Sequence, residues 1–314
     1  MKKIVVLLWG LMFMLLLAAC GQETENATNN STSDTTNHAN NSETSQETSE
    51  GDTPVFMIGG IPDQDVSELN RRFGEMAEYL AEATGMEVEY APSVDYAALV
   101  TAFERGDIHL AWFGGLTGVQ ARNAVPDAEA IAQRPMDEQF HSVFIAQSDL
   151  DVQELADLKG LSFTFGSESS TSGHLMPRHF MIEAGIDPEE DLDGIPNYSG
   201  SHDQTYQLVE SGSFQAGALN EAVWESAVKE GKVDTNKVKV FYTTPAYYDY
   251  HWTINVVDDV FGEGTKDKVR EALLNMHSEE HDVLDHFQTD RFIETKNENY
   301  QAIEEVAKEL GIIQ

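Results

Sequence analysis

The sequence predicts an α/β protein built on two mainly parallel sheets, each flanked by helices, and three observations predict it. Strand-like and amphipathic helical runs alternate from residue 54 to the C-terminus. That stretch is long enough for one large or two medium domains. No short repeat period runs through it, which argues against a solenoid.

Each element has its own signal. VFMIGGI (55–61) reads as a strand that breaks at Pro62-Asp63. Val66, Leu69, Phe73, Met76, Ala77, Leu80 and Ala83 then share one face, with Gly85 as the stop, which predicts an amphipathic helix. Residues 86–92 alternate as a strand, 95–107 form a short helix, and IHLAWF (108–113) is a buried strand ending at Gly114-Gly115, followed by a helix over 116–124. The second half repeats the order. FHSVFIAQ (140–147) is a strand, LADLKG a connecting turn, LSFTFG a strand, and 173–184 and 202–212 are helices. FQAGALN is a strand, EAVWESAVKEG a helix, and 238–256 one long β segment. Two acidic amphipathic helices, near 265–277 and 297–309, complete the chain.

The N-terminal region has a different composition. Lys2 and Lys3 precede an apolar run from Ile4 to Leu17, closed by Leu17-Ala18-Ala19-Cys20. This predicts a signal peptide over 1–19, too short for a comfortable membrane span. The single cysteine stands at the cleavage point, where lipidation would make it the mature N-terminus. It leaves no internal disulfide to hold the exported domain together. Residues 21–53 carry seven acidic side chains and no Lys or Arg, with almost nothing apolar. Such a segment cannot bury enough surface to fold, so 20–53 is expected to be a lipidated flexible linker spanning roughly 30 Å.

The chain has 19 basic and 55 acidic residues, a net charge of −36. That balance argues against nucleic acid and anionic lipid head groups as partners. Acidic residues spread over every predicted helix read as a solvated surface, and they do not imply a cationic ligand.

The chemistry lies in three loops at the carboxyl ends of predicted strands, where ligands of open α/β sheets bind. They are Gly59-Gly60-Ile61-Pro62, Gly114-Gly115-Leu116-Thr117, and Ser167-Glu168-Ser169-Ser170-Thr171-Ser172-Gly173. The first N–H groups of a helix lack intrahelical partners and carry about half a positive charge. Hydroxyls add rotatable donors, and glycine lets an anion approach the backbone, so such a loop can hold a small oxyanion without a lysine. A lone Ser would be only an N-cap, but the crowding at 167–172 exceeds what one cap needs. Pro177 falls beyond the first turn if the helix starts at Ser172, where it would kink the helix.

Other chemistries find less support. No Gly-Lys-Ser/Thr or GxSxG occurs. Ser-His-Asp at 201–203 is adjacent in sequence, which does not make a triad. His277 and His281, spaced i, i+4 around Glu279 and Glu280, read as a solvated face rather than a metal site, with His286 projecting elsewhere. In the aromatic stretch 245–252, Tyr250 and Trp252 are expected to pack in the core, while another Tyr presents its hydroxyl to a ligand.

At these residues the sequence resembles the phosphate/phosphite/phosphonate substrate-binding proteins of ABC transporters, from about residue 54 onward. The resemblance is carried by DYAALVTAF with GDIHLAWFGG, by FGSESSTSGHLMPRHF, YSGSHDQT, AGALNEAVWE and VFYTTPAYYDYHWT. The tract with SSTSGHLMPR and PAYYDY also resembles a subgroup associated with selenate binding. The resemblance implies a two-lobed class II periplasmic-binding-protein fold with the ligand in the interlobe cleft. Residues 54–146 and 247–314 would form lobe 1 and 147–246 lobe 2, with hinge crossings near 141–147 and 245–250. It implies that Ser170, Thr171 and Ser172 hold the oxyanion with Tyr96 and His202. Asn220 and Tyr247 complete the expected ligand set. Asn220 stands where an acidic residue for an aminophosphonate's amine would be sought, which argues against that ligand.

The expected function is therefore that of an extracytoplasmic lipoprotein receptor, monomeric and anchored to the cell membrane through Cys20. It would capture a small tetrahedral oxyanion (phosphonate, phosphite, phosphate or selenate) by hinge closure and deliver it to ABC permease subunits. No cofactor, metal or nucleic acid enters. The alternatives are an exported phosphate-ester hydrolase with His174 or His202 as base and a metal-capturing lipoprotein. Asp63, Asp203 and Asp249 are candidate acceptors for a protonated ligand, since sulfate and selenate can only accept.

Overall fold

The computed structural model of the protein describes residues 54–277 and 282–314. The expected signal peptide, Cys20, the linker, and His281 with Glu279 and Glu280 lie outside the described residues.

The first lobe begins with β1 (Phe56–Gly60), α1 (Val66–Thr84), β2 (Val88–Tyr90), α2 (Tyr96–Glu104), β3 (Leu110–Phe113), α3 (Gly115–Ala124) and β4 (Glu129–Gln133). The chain then crosses to the second lobe, with β5 (Ser142–Gln147), β6 (Phe163–Phe165), α4 (Met176–Glu183), β7 (Asn197–Tyr198), α5 (His202–Glu210), β8 (Ala216–Asn220), α6 (Glu221–Lys229) and β9 (Val238–Thr243). It returns as β10 (His251–Ile254), α7 (Asp258–Phe261), α8 (Thr265–Leu274), α9 (Val283–His286), β11 (Ile293–Glu294) and α10 (Gln301–Glu309).

The strand orders are β11-β4-β10-β3-β1-β2 in the first sheet and β7-β6-β8-β5-β9 in the second. Both are mixed rather than mainly parallel. β1 pairs in parallel with β2 and β3, whereas β10 is antiparallel to β3 and β4. β8 runs parallel to β6 and antiparallel to β5. The strands that cross between the lobes enter each sheet from the opposite end, which makes their pairing antiparallel.

Two boundaries differ from expectation. β5 pairs from Ser142 with Asn220 of β8, so Ser142–Ala146 belong to the second sheet and the crossing precedes Ser142. The expected single strand over 238–256 is two strands, β9 and β10, one in each sheet. Between them Phe140 and Tyr247 form a lone antiparallel bridge: the Phe140 N–H donates to the Tyr247 carbonyl at 2.8 Å and the Tyr247 N–H returns the bond at 3.0 Å. The two crossings are thus tied to each other midway between the sheets.

α1 is capped as its sequence directs. Asp65 accepts from the Ser67 N–H, and Gly85, at φ 69°, ends the helix in the left-handed conformation. Its apolar face joins an aromatic core around Phe73, Trp112, Trp252 and Phe287 in the first lobe. The second sheet is covered on both faces, by Phe144, Phe163 and Phe165 on one side and Ile145, Leu219 and Trp224 on the other.

The hydroxyl-rich turn does not kink at Pro177. Residues Thr171–Leu175 form a π turn, with Leu175 N–H donating to the Ser170 carbonyl at 3.0 Å, and α4 starts afresh at Met176 with Pro177 in its first turn. Pro177 lacks an N–H, so a wide turn ahead of it costs no hydrogen bond at that position.

Candidate functional site

Most of the expected site residues stand where a helix begins. Tyr96 opens α2, Ser170 caps the π turn and Thr171 opens it, His202 opens α5, and Asn220 caps α6. Gly115 and Leu116 open α3. These N-termini meet between the lobes, and all seven predicted side chains are buried: Tyr96, Ser170, Thr171, Ser172, His202, Asn220 and Tyr247. Partial positive charge from several helix starts is thereby concentrated, with Arg72 and Arg134 acting on Asp63 beside it.

The hydrogen bonds run from lobe to lobe. The Leu116 N–H donates to Thr171 Oγ1 at 2.9 Å, and the His202 N–H donates to the Asp63 carbonyl at 3.0 Å. Asn220 Nδ2 donates to the Tyr250 hydroxyl at 3.0 Å, which donates in turn to Asp63 Oδ2 at 3.0 Å. The Asn220 N–H approaches His202 Nδ1 at 3.4 Å, which leaves the imidazole proton on Nε2, 3.3 Å from the Tyr250 oxygen. Burial lowers the His202 pKa to about 4, so this histidine is a neutral donor. The Tyr247 hydroxyl is 2.6 Å from Ser142 Oγ and beside Ser172.

Ser170 spends its oxygen as the N-cap, accepting from the Gly173 N–H at 2.9 Å, so the capping role applies to that residue. Thr171 and Ser172 flank a carboxylate instead. Asp249, 1% exposed, accepts the Gly115 N–H on Oδ1 at 2.8 Å. Burial pushes its pKa up to about 7, with the Gly115 N–H and the Thr171 and Ser172 hydroxyls offsetting part of the shift. Burial also raises the Asp63 pKa, while Arg72 and the Tyr250 hydroxyl pull it back. Among the described residues, Asp63 Oδ1, Asp249 Oδ2 and the Tyr96 hydroxyl have no partner in hydrogen-bond geometry, although Ser170 lies close enough to act on Tyr96, and Thr171 and Ser172 on Asp249. Buried polar atoms are rarely left so, and both carboxylates act electrostatically on Tyr96.

Asp203, the third candidate acceptor, is directed outward, taking a hydrogen bond from Ser201 Oγ at 2.5 Å and lining an outer groove with Lys232. His286, expected to project elsewhere, pairs with Glu75 of α1 at 2.9 Å. The residue missed by the sequence reading is Tyr250. Its ring does pack in the core, stacked on Trp112 at 5.7 Å with Arg134 above it at 5.2 Å. Its hydroxyl nonetheless reaches the cleft, a dual role available to an amphipathic aromatic at the end of a strand.

The chain is 40% identical over 269 residues to the probable ABC transporter phosphite binding protein PhnD1 of Prochlorococcus marinus (strain MIT 9301), covering 82% of this chain and 91% of that one. The structure of that PhnD1 in complex with methylphosphonate superposes with a TM-score of 0.80, covering 82% of this chain and 99% of the other. The phosphate-import protein PhnD of Mycolicibacterium smegmatis is 25% identical over 232 residues, covering 70% of this chain and 71% of that protein. A binding protein of an ABC phosphonate transporter from Pseudomonas aeruginosa, 20% identical, shares the fold with a TM-score of 0.72 over 81% of this chain and 86% of that one. The relatives are binding proteins and not enzymes, which sets aside the hydrolase reading. The family model for the periplasmic substrate-binding proteins of phosphonate ABC transporters matches residues 58–300, and the chain belongs to that family.

Proposed function

We propose that the protein is a membrane-tethered receptor that captures a small, protonatable tetrahedral oxyanion, of the phosphite or methylphosphonate class, and delivers it to an ABC permease. The observation that carries this reading is the set of unpartnered buried atoms beside the helix starts. Asp249 Oδ2 and Asp63 Oδ1 are acceptors, set among N–H and O–H donors from both lobes. A ligand that carries an acidic O–H satisfies a carboxylate and the donors together, whereas sulfate or selenate can only accept and would face Asp249 oxygen to oxygen. Similarity to the methylphosphonate-bound PhnD1 supports the same ligand class.

Tyr96, Thr171, Ser172, His202 and Tyr247 are assigned to the ligand, with Asn220 acting through Tyr250. Closure follows from differential affinity: moving an open-to-closed ratio from 99:1 to 1:99 takes about 5.5 kcal/mol. Groups from both lobes supply it only when they touch one ligand. The bridged crossings at Phe140 and Tyr247 are the proposed hinge. Lipidation of Cys20 would keep the acting monomer near its permease.

Calorimetry with phosphite, methylphosphonate, phosphate, sulfate and selenate at pH 8 tests the ligand class. Tight binding of phosphite or methylphosphonate with weak sulfate and selenate is expected, and the opposite order would overturn the assignment. Fractionation of cells carrying Cys20→Ser tests the anchor, with release from the membrane as the expected result.

A further inference from the structure

The same three-part arrangement recurs behind the two halves of the site. In the first lobe Arg122 Nη1 lies 2.7 Å from His251 Nε2, and His251 Nδ1 lies 2.9 Å from the Asp249 carbonyl oxygen. In the second, Arg178 Nε lies 3.0 Å from His174 Nε2, and His174 Nδ1 lies 2.7 Å from the Glu168 carbonyl oxygen.

We propose that these are paired positioning relays. Each arginine fixes its histidine as the Nδ1–H tautomer, and the histidine clamps the carbonyl of the segment that presents a binding group. The inference rests on the functional reading above and assigns the residues that hold that site in register.

The chemistry leaves one consistent assignment. A guanidinium has only donors and keeps its charge, so a short contact with Nε2 requires that nitrogen to be bare. The imidazole's proton is then on Nδ1, facing a carbonyl oxygen that can only accept. An imidazolium would turn an Nε2–H against the guanidinium. Burial lowers the pKa of both histidines, to about 4 for His174. Arg122 is buried and, among the described residues, has no carboxylate within ion-pair distance, Glu304 acting on it only from farther off; it also meets Thr253 Oγ1 at 3.3 Å and the face of Tyr300. A buried arginine is ordinarily paired with an acid. Here its close partner is an imidazole. Gly118 makes the room, since a Cβ there would fall 2.2 Å from His251 Nε2.

The consequence is local rigidity where the ligand is read. The Asp249 N–H donates to the Asp137 carbonyl at 3.1 Å, its own carbonyl is held by His251, and Oδ1 is held by Gly115. Only Oδ2 is left without a partner in hydrogen-bond geometry. In the other lobe the Glu168 carbonyl is fixed just before Ser170, whose N–H donates to the Ser167 carbonyl at 2.9 Å. The two relays therefore act on different chemistry, the acceptor in one lobe and the hydroxyl donors in the other.

Long-range ¹H–¹⁵N correlation of the full chain at pH 7 reads the tautomers without any ligand. Wild type is expected to show Nδ1–H for both His174 and His251. Arg122→Met should shift His251 alone and Arg178→Met His174 alone, with Lys at either position restoring the signature. Calorimetry with methylphosphonate and sulfate reads the effect on the site. Arg122→Met is expected to weaken methylphosphonate about tenfold and narrow its preference over sulfate, whereas Arg178→Met weakens both alike by about tenfold. An Nε2–H tautomer in the wild type, or an unchanged methylphosphonate-to-sulfate ratio in Arg122→Met, overturns the relay. Wild-type protein that gives no heat with methylphosphonate while keeping both tautomers would overturn the functional reading and leave the histidine assignment standing.

Discussion

Thr171 Oγ1 lies 2.9 Å from the Leu116 N–H, so a hydroxyl of the second lobe caps the first turn of α3 in the first. The bond joins the two predicted anion-binding loops directly. An oxyanion placed between them competes with Thr171 Oγ1 for the Leu116 N–H and can accept the Thr171 O–H. Thr171→Ala is expected to lose about 1.5–3 kcal/mol of ligand affinity, roughly 10- to 150-fold. Titration calorimetry with methylphosphonate checks it, and unchanged binding would move the site elsewhere.

Asp249 decides how binding depends on pH. Its raised folded pKa, about 7 against an ordinary 3.8, means that the folded protein holds a proton the unfolded chain has released between those values. Stability from this group is therefore greatest at low pH and falls as pH rises from about 4 through 7, with a slope approaching about 1.4 kcal/mol per pH unit at most. Asp249→Asn should remove that component from a series of thermal melts across the range. The same variant should weaken methylphosphonate and improve sulfate, because an amide can donate to an oxygen that a carboxylate repels. A pH–stability curve identical to wild type would contradict the assignment.

Tyr250→Phe separates the two roles of one side chain. The ring contacts with Trp112 and Arg134 remain, while Asp63 Oδ2 loses its donor and Asn220 Nδ2 its acceptor. A loss of about 1–3 kcal/mol in stability is expected, together with weaker binding, since both partners stay buried. Urea denaturation and calorimetry measure the two effects. A variant as stable as wild type and binding as tightly would return Tyr250 to the core alone.

Gly60→Ala tests the core that carries β1. A Cβ at Gly60 would lie 2.0 Å from Phe73 Cζ, and Phe73 is fully buried against Tyr90, Trp252 and Phe287. The ring cannot retreat without disturbing those neighbours, so a destabilisation of about 1–3 kcal/mol is expected. Denaturant titration reads it directly.

The net charge of −36 should matter little to affinity. Exposed carboxylates farther than about 8 Å from the site are screened at physiological salt, while the donors act at contact distance. Neutralising groups of surface Asp and Glu should leave methylphosphonate affinity within about twofold. A large gain would show that long-range repulsion, and not local dipoles, sets the binding strength.

The parts of this protein legible in sequence were those written by local rules. The amphipathic face of α1 with its Gly85 stop, the strand alternation, and the hydroxyl-rich turn at 167–172 each follow from neighbouring residues alone. The resemblance then pointed to Tyr96, Ser170, Thr171, Ser172 and His202, and the structure buries each of these, as it does Asn220 and Tyr247. Less legible was anything set by strand pairing across a lobe boundary. β5 and β9 read as ordinary strands, and only their partners show that both belong to the second sheet.

By itself the sequence determined where helices start, and hence which backbone N–H groups would lack partners, because capping and periodicity are properties of adjacent residues. The tertiary structure alone decided which of those starts face one another, that the Tyr250 hydroxyl reaches the cleft, and that Asp249 rather than Asp203 lies among the donors. Such choices depend on burial and on contacts between residues far apart in the chain. A carboxylate's role is fixed by the desolvation and the donors it meets once both lobes have folded around it.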